Sequence, residues 1–142
     1  MATILAHIIV HPGSETRFED VARALHAATH EREDGVLRYE YWRGAEPSSY
    51  YTLLSFSDYA AFLAHQTSPH HERAASDLGS VIASMRIEWV DPIAGASTLP
   101  PTAGPHGPSP FTDDRTRRYA DAFPPTIANW WLAQRAEGDA TR

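Results

Sequence analysis

Cysteine and lysine are both missing from the 142 residues. Without cysteine there is no disulfide framework and no thiolate zinc site, so a metal would have to be held by histidines and carboxylates. Without lysine, all 12 basic residues are arginines, set against 18 acids for a formal charge of −6. The imbalance falls before Pro92, where seven arginines face thirteen acids; beyond it five face five. An acidic domain with no basic stripe has no electrostatic means of holding a phosphate backbone, which sets nucleic acid aside as a partner. Long apolar runs are missing as well. No stretch is long enough to cross a bilayer, and the opening Met1-Ala2-Thr3-Ile4-Leu5-Ala6 lacks the basic flank and apolar core of a secretion signal. The expectation is a cytoplasmic protein with no membrane partner.

What remains is 42% hydrophobic, enough for one core and one domain of ordinary size. Residues 3–10 are rich in β-branched side chains and stop at His11-Pro12-Gly13, which predicts a first strand. Thr16 and Glu19 have the spacing of a capping box, and Phe18, Val21, Ala22, Leu25 and Thr29 recur at helical intervals, which predicts a helix over about 15–31. Residues 36–43 alternate, with Leu37, Tyr39 and Tyr41 on one face and Arg38, Glu40 and Trp42 on the other, and 50–56 resume a strand after a loop containing Pro47. Asp58 is suited to cap a short helix ending near Gln66, and Ser68-Pro69 to cap and open a second piece burying His71, Ala74 or Ala75, Leu78 and Ile82. A last strand is expected over about 85–90.

The order βαββαβ predicts an α+β, ferredoxin-like fold, an antiparallel sheet with both helices on one face. Its other face would carry Leu5, His7, Ile9 and Trp42, too apolar for a monomer's surface, and a homodimer packed through that face is the simplest cover. The ferredoxin-like domain spans residues 1–93. Between Pro92 and Pro110 the chain holds six prolines and three glycines and reads as an extended linker, assigned to 94–110. The extension 111–142 is expected to be helical. A charged helix should run from Phe111 to Phe123, and a second should follow Pro124-Pro125, burying Ile127, Trp130 and Trp131 against the domain or its partner.

The densest chemistry lies at the joint of the broken helix, His65-Gln66-Thr67-Ser68-Pro69-His70-His71, where imidazoles titrate in the range enzymes use. His26 and His30 have the i,i+4 spacing of a two-histidine metal face, but no acid is placed to complete it. The stretch His65, Ser68, Pro69, His70 resembles the H-x-x-[ST]-P-H signature of the antibiotic biosynthesis monooxygenases. Pro12-Gly13, Gly35 and Tyr39 also fall where that family has them, and the likeness covers about residues 3–93. It implies dimers of ferredoxin-like subunits, the dimeric α/β barrel type, each with a pocket between sheet and helices. It also implies oxidation of a phenol, quinol or polyketide-like aromatic by O₂ with no cofactor, neither flavin nor metal. His65 or His70 would be the catalytic base; Tyr39, Tyr41 and Tyr51 would donate hydrogen bonds to the substrate, Phe56 and Phe62 would wall the pocket, and His71 would line it.

Family members commonly carry an acid on the third strand, two residues before an aromatic one. Leu54 and Phe56 occupy those positions here, so His65 is expected to lack an orienting carboxylate. Two other readings use the same residues: an isomerase or cyclase with the same base and no oxygen, and a non-catalytic module holding an apolar ligand.

Overall fold

The computed structural model describes residues 1–105 and 113–140. Nine elements follow in chain order: β1 Ala2–Val10, α1 Glu15–Arg32, β2 Val36–Arg43, β3 Ser49–Phe56, α2 Tyr59–Gln66, α3 Pro69–Val81, β4 Ile82–Trp89, α4 Asp114–Ala122 and α5 Asn129–Ala140. The strands form one antiparallel sheet in the order β2-β3-β1-β4, the ferredoxin-like arrangement that the sequence predicts. Phe18, Ala22, Leu25 and Thr29 of α1 are buried, as their spacing requires. They face Ile4, Ala6, Ile8 and Val10, the alternate residues of β1.

Each piece of the broken second helix has its own N-cap, and the second cap sits at the break. The Asp58 carboxylate accepts from the Ala61 amide at 2.7 Å, and Ser68 Oγ accepts from the His71 amide at 3.2 Å with Pro69 in the first turn. Each satisfies a helix-end donor that would otherwise be orphaned. The capping box expected at the start of α1 does not form. Ser14 is the N-cap, with no side-chain cap bond, and Glu19 turns instead to the Arg43 guanidinium of β2, at 2.7 and 2.8 Å.

Strand β2 departs from simple alternation. Its register with β3 slips between Val36 and Arg38, so Val36 packs on the core while Leu37 is exposed, contrary to the face predicted for it. Two residues opposing one is what a bulge does to a strand.

The sheet's outer face is mixed. Leu5, Ile9, Tyr51 and Trp42 make an apolar strip, but beside it His7 Nε2 and Arg86 Nη1 each lie 2.9 Å from Glu88 Oε2.

Beyond β4 the chain is pinned, not tethered. The Val90 amide donates to Thr3 O and the Ala103 amide to Met1 O, while Thr102 is fully buried with its hydroxyl on Val90 O at 2.6 Å. Arg135 of α5 clasps Asp91 and the Thr102 carbonyl. Helix α4 and its C-cap pack Tyr119, Ala120 and Phe123 on the core. Within the chain itself the predicted stripe stays largely open, Trp130 being 69% exposed and Ile127 and Trp131 only half-buried. The residues between them start α5 later than predicted, at Asn129. The proposed helix start at Phe111 and the end of the linker at Pro110 lie outside the described residues. None of the described helices is long and apolar enough to cross a membrane.

Candidate active site

Helix α1 ends at Arg32, where Glu33 takes an extended conformation while its amide still donates to Thr29 O at 3.0 Å. That turn swings the Glu33 side chain off α1 and toward the α2–α3 joint. Gly35 locks the turn in place. A Cβ there would sit 2.6 Å from the Ala61 Cβ of α2, and the Gly35 carbonyl accepts from the Ser57 amide at 2.8 Å. Only glycine allows so close an approach.

The result is a carboxylate shared by two imidazoles. His65 Nδ1 lies 3.0 Å from Glu33 Oε1 and 3.1 Å from Oε2, and His70 Nε2 lies 2.5 Å from Oε1. His65 is 1% exposed and His70 8%. Burial by itself would raise the Glu33 carboxyl, but hydrogen bonds from the two histidines and their charge outweigh it and hold the group below its ordinary range. An ionised carboxylate only accepts, so the nitrogens facing it carry hydrogen, leaving His65 Nε2 and His70 Nδ1 as the basic atoms of the neutral rings.

Glu33 therefore corrects the expectation of an unoriented His65. Leu54 is indeed buried, paired with Tyr39 across the strands, and puts no carboxylate there. The orienting acid comes instead from the loop after α1. The sequence does not single it out because Glu33 follows the helix expected over about 15–31 and lies outside every motif found there. One signal was there: Glu31, Glu33 and Asp34 crowd a helix C-terminus, where the dipole disfavours anions.

The other candidates divide between two cavities and the core. A cavity of about 550 Å³ is lined by Glu33, Gly35, Ala61, Ala64, Ser68 and His70. A second, of about 660 Å³, lies between α1 and β2 and is lined by Phe18, His26, Tyr41, Trp42 and Tyr50. Along its rim the Arg43 guanidinium holds Glu19 down to about 2. Tyr39 and Tyr41 link the two regions, their hydroxyls 2.7 Å apart and the Tyr39 ring 5.0 Å from His65. Burial pushes Tyr39 well above its usual value and Tyr41 up to about 12, so both are neutral donors at physiological pH.

Phe56 and Phe62 are core residues, not cavity wall; Phe56 supports the His65 ring from 5.2 Å, and Phe62 packs on Phe56, Trp89 and Phe123. Tyr51 points to the outer face, edge-on to His7 at 5.2 Å, because it is one residue out of phase with Thr52 and Leu54. His71 lies 5.0 Å from His65 with Nδ1 buried and unpartnered, and burial, helped by His65, lowers it to about 4.

Fold and site together define a small ferredoxin-like protein with a carboxylate-oriented histidine pair at a broken helix. The sequence pattern described as antibiotic biosynthesis monooxygenase matches residues 1–77, and the chain belongs to that family. Comparison with curated proteins gives no match. Among solved structures it is similar to PA3566 from Pseudomonas aeruginosa, at 26% identity and TM-score 0.60, covering 66% of this chain and 94% of that one. A Caulobacter crescentus protein named for the same monooxygenase family is 26% identical with TM-score 0.62, covering 65% and 89%. A Bacteroides thetaiotaomicron protein shares the fold at 18% identity and TM-score 0.64, covering 69% and 94%.

Proposed function

We propose that this chain is a cofactor-independent monooxygenase of a phenolic, quinol or polyketide-like aromatic, with His70 as base. The observation that carries this is the Glu33–His70 bond beside a cavity that His70 itself lines. Bonded to the carboxylate through Nε2, the ring offers Nδ1 to a substrate proton, and Glu33 stabilises the imidazolium that forms. His65 completes the carboxylate's hydrogen bonding and holds it in place. Removing a proton from an acidic C–H or O–H leaves an electron-rich anion, which passes one electron to O₂. The two radicals combine as a carbon-bound peroxide, and loss of water leaves a carbonyl: a CH₂ and one O₂ become C=O and H₂O.

Oxygen uptake and product analysis with an anthrone or quinol panel, in the presence of a chelator, test this reading. Turnover should continue under chelation and fall by roughly 10²–10⁴ in His70→Gln. Product formed without oxygen uptake would mark an isomerase instead, and a fully active His70→Gln would remove the histidine from the chemistry.

The apolar strip of Leu5, Ile9, Tyr51 and Trp42 supports a homodimer through the outer sheet face. Leu5→Asp with Ile9→Asp would place desolvated charge in that interface and should give monomers by analytical ultracentrifugation. A wild type that sediments as a monomer at micromolar concentration refutes it.

A further inference from the structure

Glu33, His65 and His70 reach the same point from three elements, the α1 C-cap, α2 and the first turn of α3. One ligand atom from each lies within 4.8 Å of the other two. Two neutral imidazoles and a carboxylate are the donor set of many transition-metal sites, zinc and iron included. The two hydrogens now pointing at Glu33 Oε1 occupy the region a cation would take, because both nitrogens and the carboxylate converge there. From this convergence we infer that the three side chains form a binding site for a divalent transition ion of the zinc type, which nothing in the proposed chemistry requires.

The geometry needs little adjustment. Zinc is bound by imidazole and carboxylate at about 2.0–2.2 Å, which in a tetrahedron separates ligand atoms by roughly 3.3–3.6 Å. The present 3.0 and 2.5 Å would have to open by about an ångström or less. Two of the three ligands stand at element ends, Glu33 in an extended C-cap and His70 just past the Ser68 cap, where small shifts do not break a helix. The 550 Å³ cavity that Glu33 and His70 line provides the approach and room for a water as a further ligand. The other histidine pair is a poorer site: His26 and His30 have ring centroids 4.4 Å apart, but both are exposed, and no third ligand joins them among the described residues.

Binding at this site takes the imidazole lone pairs and the carboxylate together, so a bound ion and a free base exclude each other. The bound ion should therefore inhibit turnover. That consequence rests on the proposed monooxygenase reading; the binding does not.

Calorimetric titration of the chelator-treated full chain with Zn²⁺, and visible spectra with Co²⁺, test the site. One ion per chain should bind, with the ligand-field bands of a four- or five-coordinate Co²⁺ complex. Glu33→Ala and His70→Ala should each weaken Zn²⁺ by at least ~100-fold, more than the loss of an outer-shell partner costs. His26→Gln with His30→Gln should leave the affinity unchanged. Should either site variant lose its fold by circular dichroism, imidazole NMR of the wild type decides: Zn²⁺ must move the His65 and His70 ring signals. Absence of stoichiometric binding, survival of binding in both site variants, or shifts confined to His26 and His30 would overturn the site. Zn²⁺ binding together with no oxygen uptake by the chelator-treated, metal-free chain would keep the site and refute the monooxygenase; uptake by the metal-free chain without Zn²⁺ binding would do the reverse.

Discussion

Between Ala2 and Val81 the fold is held by buried side chains, whereas α4 contains none and the described side chains of α5 are all at least partly exposed. The C-terminal segment holds on by a few contacts: Tyr119 Oη on Glu72 at 2.7 Å, Tyr59 Oη on the Phe123 carbonyl at 3.0 Å, and Arg135 on Asp91 and Thr102. The comparison teaches that this chain has one cooperative core and an appendage that uses the core's surface. Changes in the first should alter global stability, and changes in the second should alter local opening.

Phe62→Ala is the harshest test, because Phe62 is fully buried and touches both regions. It should cost about 3–5 kcal/mol in denaturant unfolding, with hydrogen exchange faster in α4 as well as in the sheet. An effect confined to α4 would break the comparison.

Acidification comes next. His71 takes a proton near 6.5 when unfolded but only near 4 when folded, so between those values the unfolded chain binds more protons. Stability should be full above pH 6.5 and fall by up to about 3 kcal/mol toward pH 4. Glu33, held below its ordinary range, adds a further loss below about 4.5. A His71→Gln chain should show a flatter thermal-stability profile across pH 4–6.5.

Gly35→Ala should cost about 1–3 kcal/mol, since the new methyl meets Ala61 and the two segments must part. Because that shift moves Glu33, turnover should drop more than stability alone explains, which separates it from Phe62→Ala.

Arg135→Ala should give the smallest global effect, about 1 kcal/mol or less. Hydrogen exchange across α5 should nevertheless accelerate while the sheet stays protected. Equal acceleration in both would show the appendage to be part of the core.

Legibility follows the same division. The Asp58 and Ser68 caps and the buried face of α1 could be read because each depends on neighbours within a turn or two, and the strand order because the element order βαββαβ has a recurring ferredoxin-like solution. Leu37 was misread because a bulge is set by the partner strand, not by the strand's own alternation. Glu33 escaped notice because its role depends on the distant Gly35–Ala61 approach and on a carboxylate replacing one expected at Leu54. His65 and His70 were found together, but Phe56, Phe62 and Tyr51 were placed around a single pocket that the sheet does not form. The tail was predicted to dock through its tryptophans on the domain or a partner, and on its own domain it docks mainly through Tyr119 and Phe123, at the end of the preceding helix. Amphipathic spacing shows that a stripe exists; it does not say which of two stripes finds a surface.

The strand order also governs how the chain must be made. β1 is synthesised first, yet it lies inside the sheet, pairing on one side with residues 49–56 and on the other with 82–89. Until β4 has left the ribosome, one whole edge of β1 stays open, and closing it requires a loop of more than seventy residues. An exposed apolar edge of that kind recruits other strands. Chains interrupted before Ile82 should therefore aggregate during translation, whereas interruption after Ala103 would leave every strand of the sheet paired.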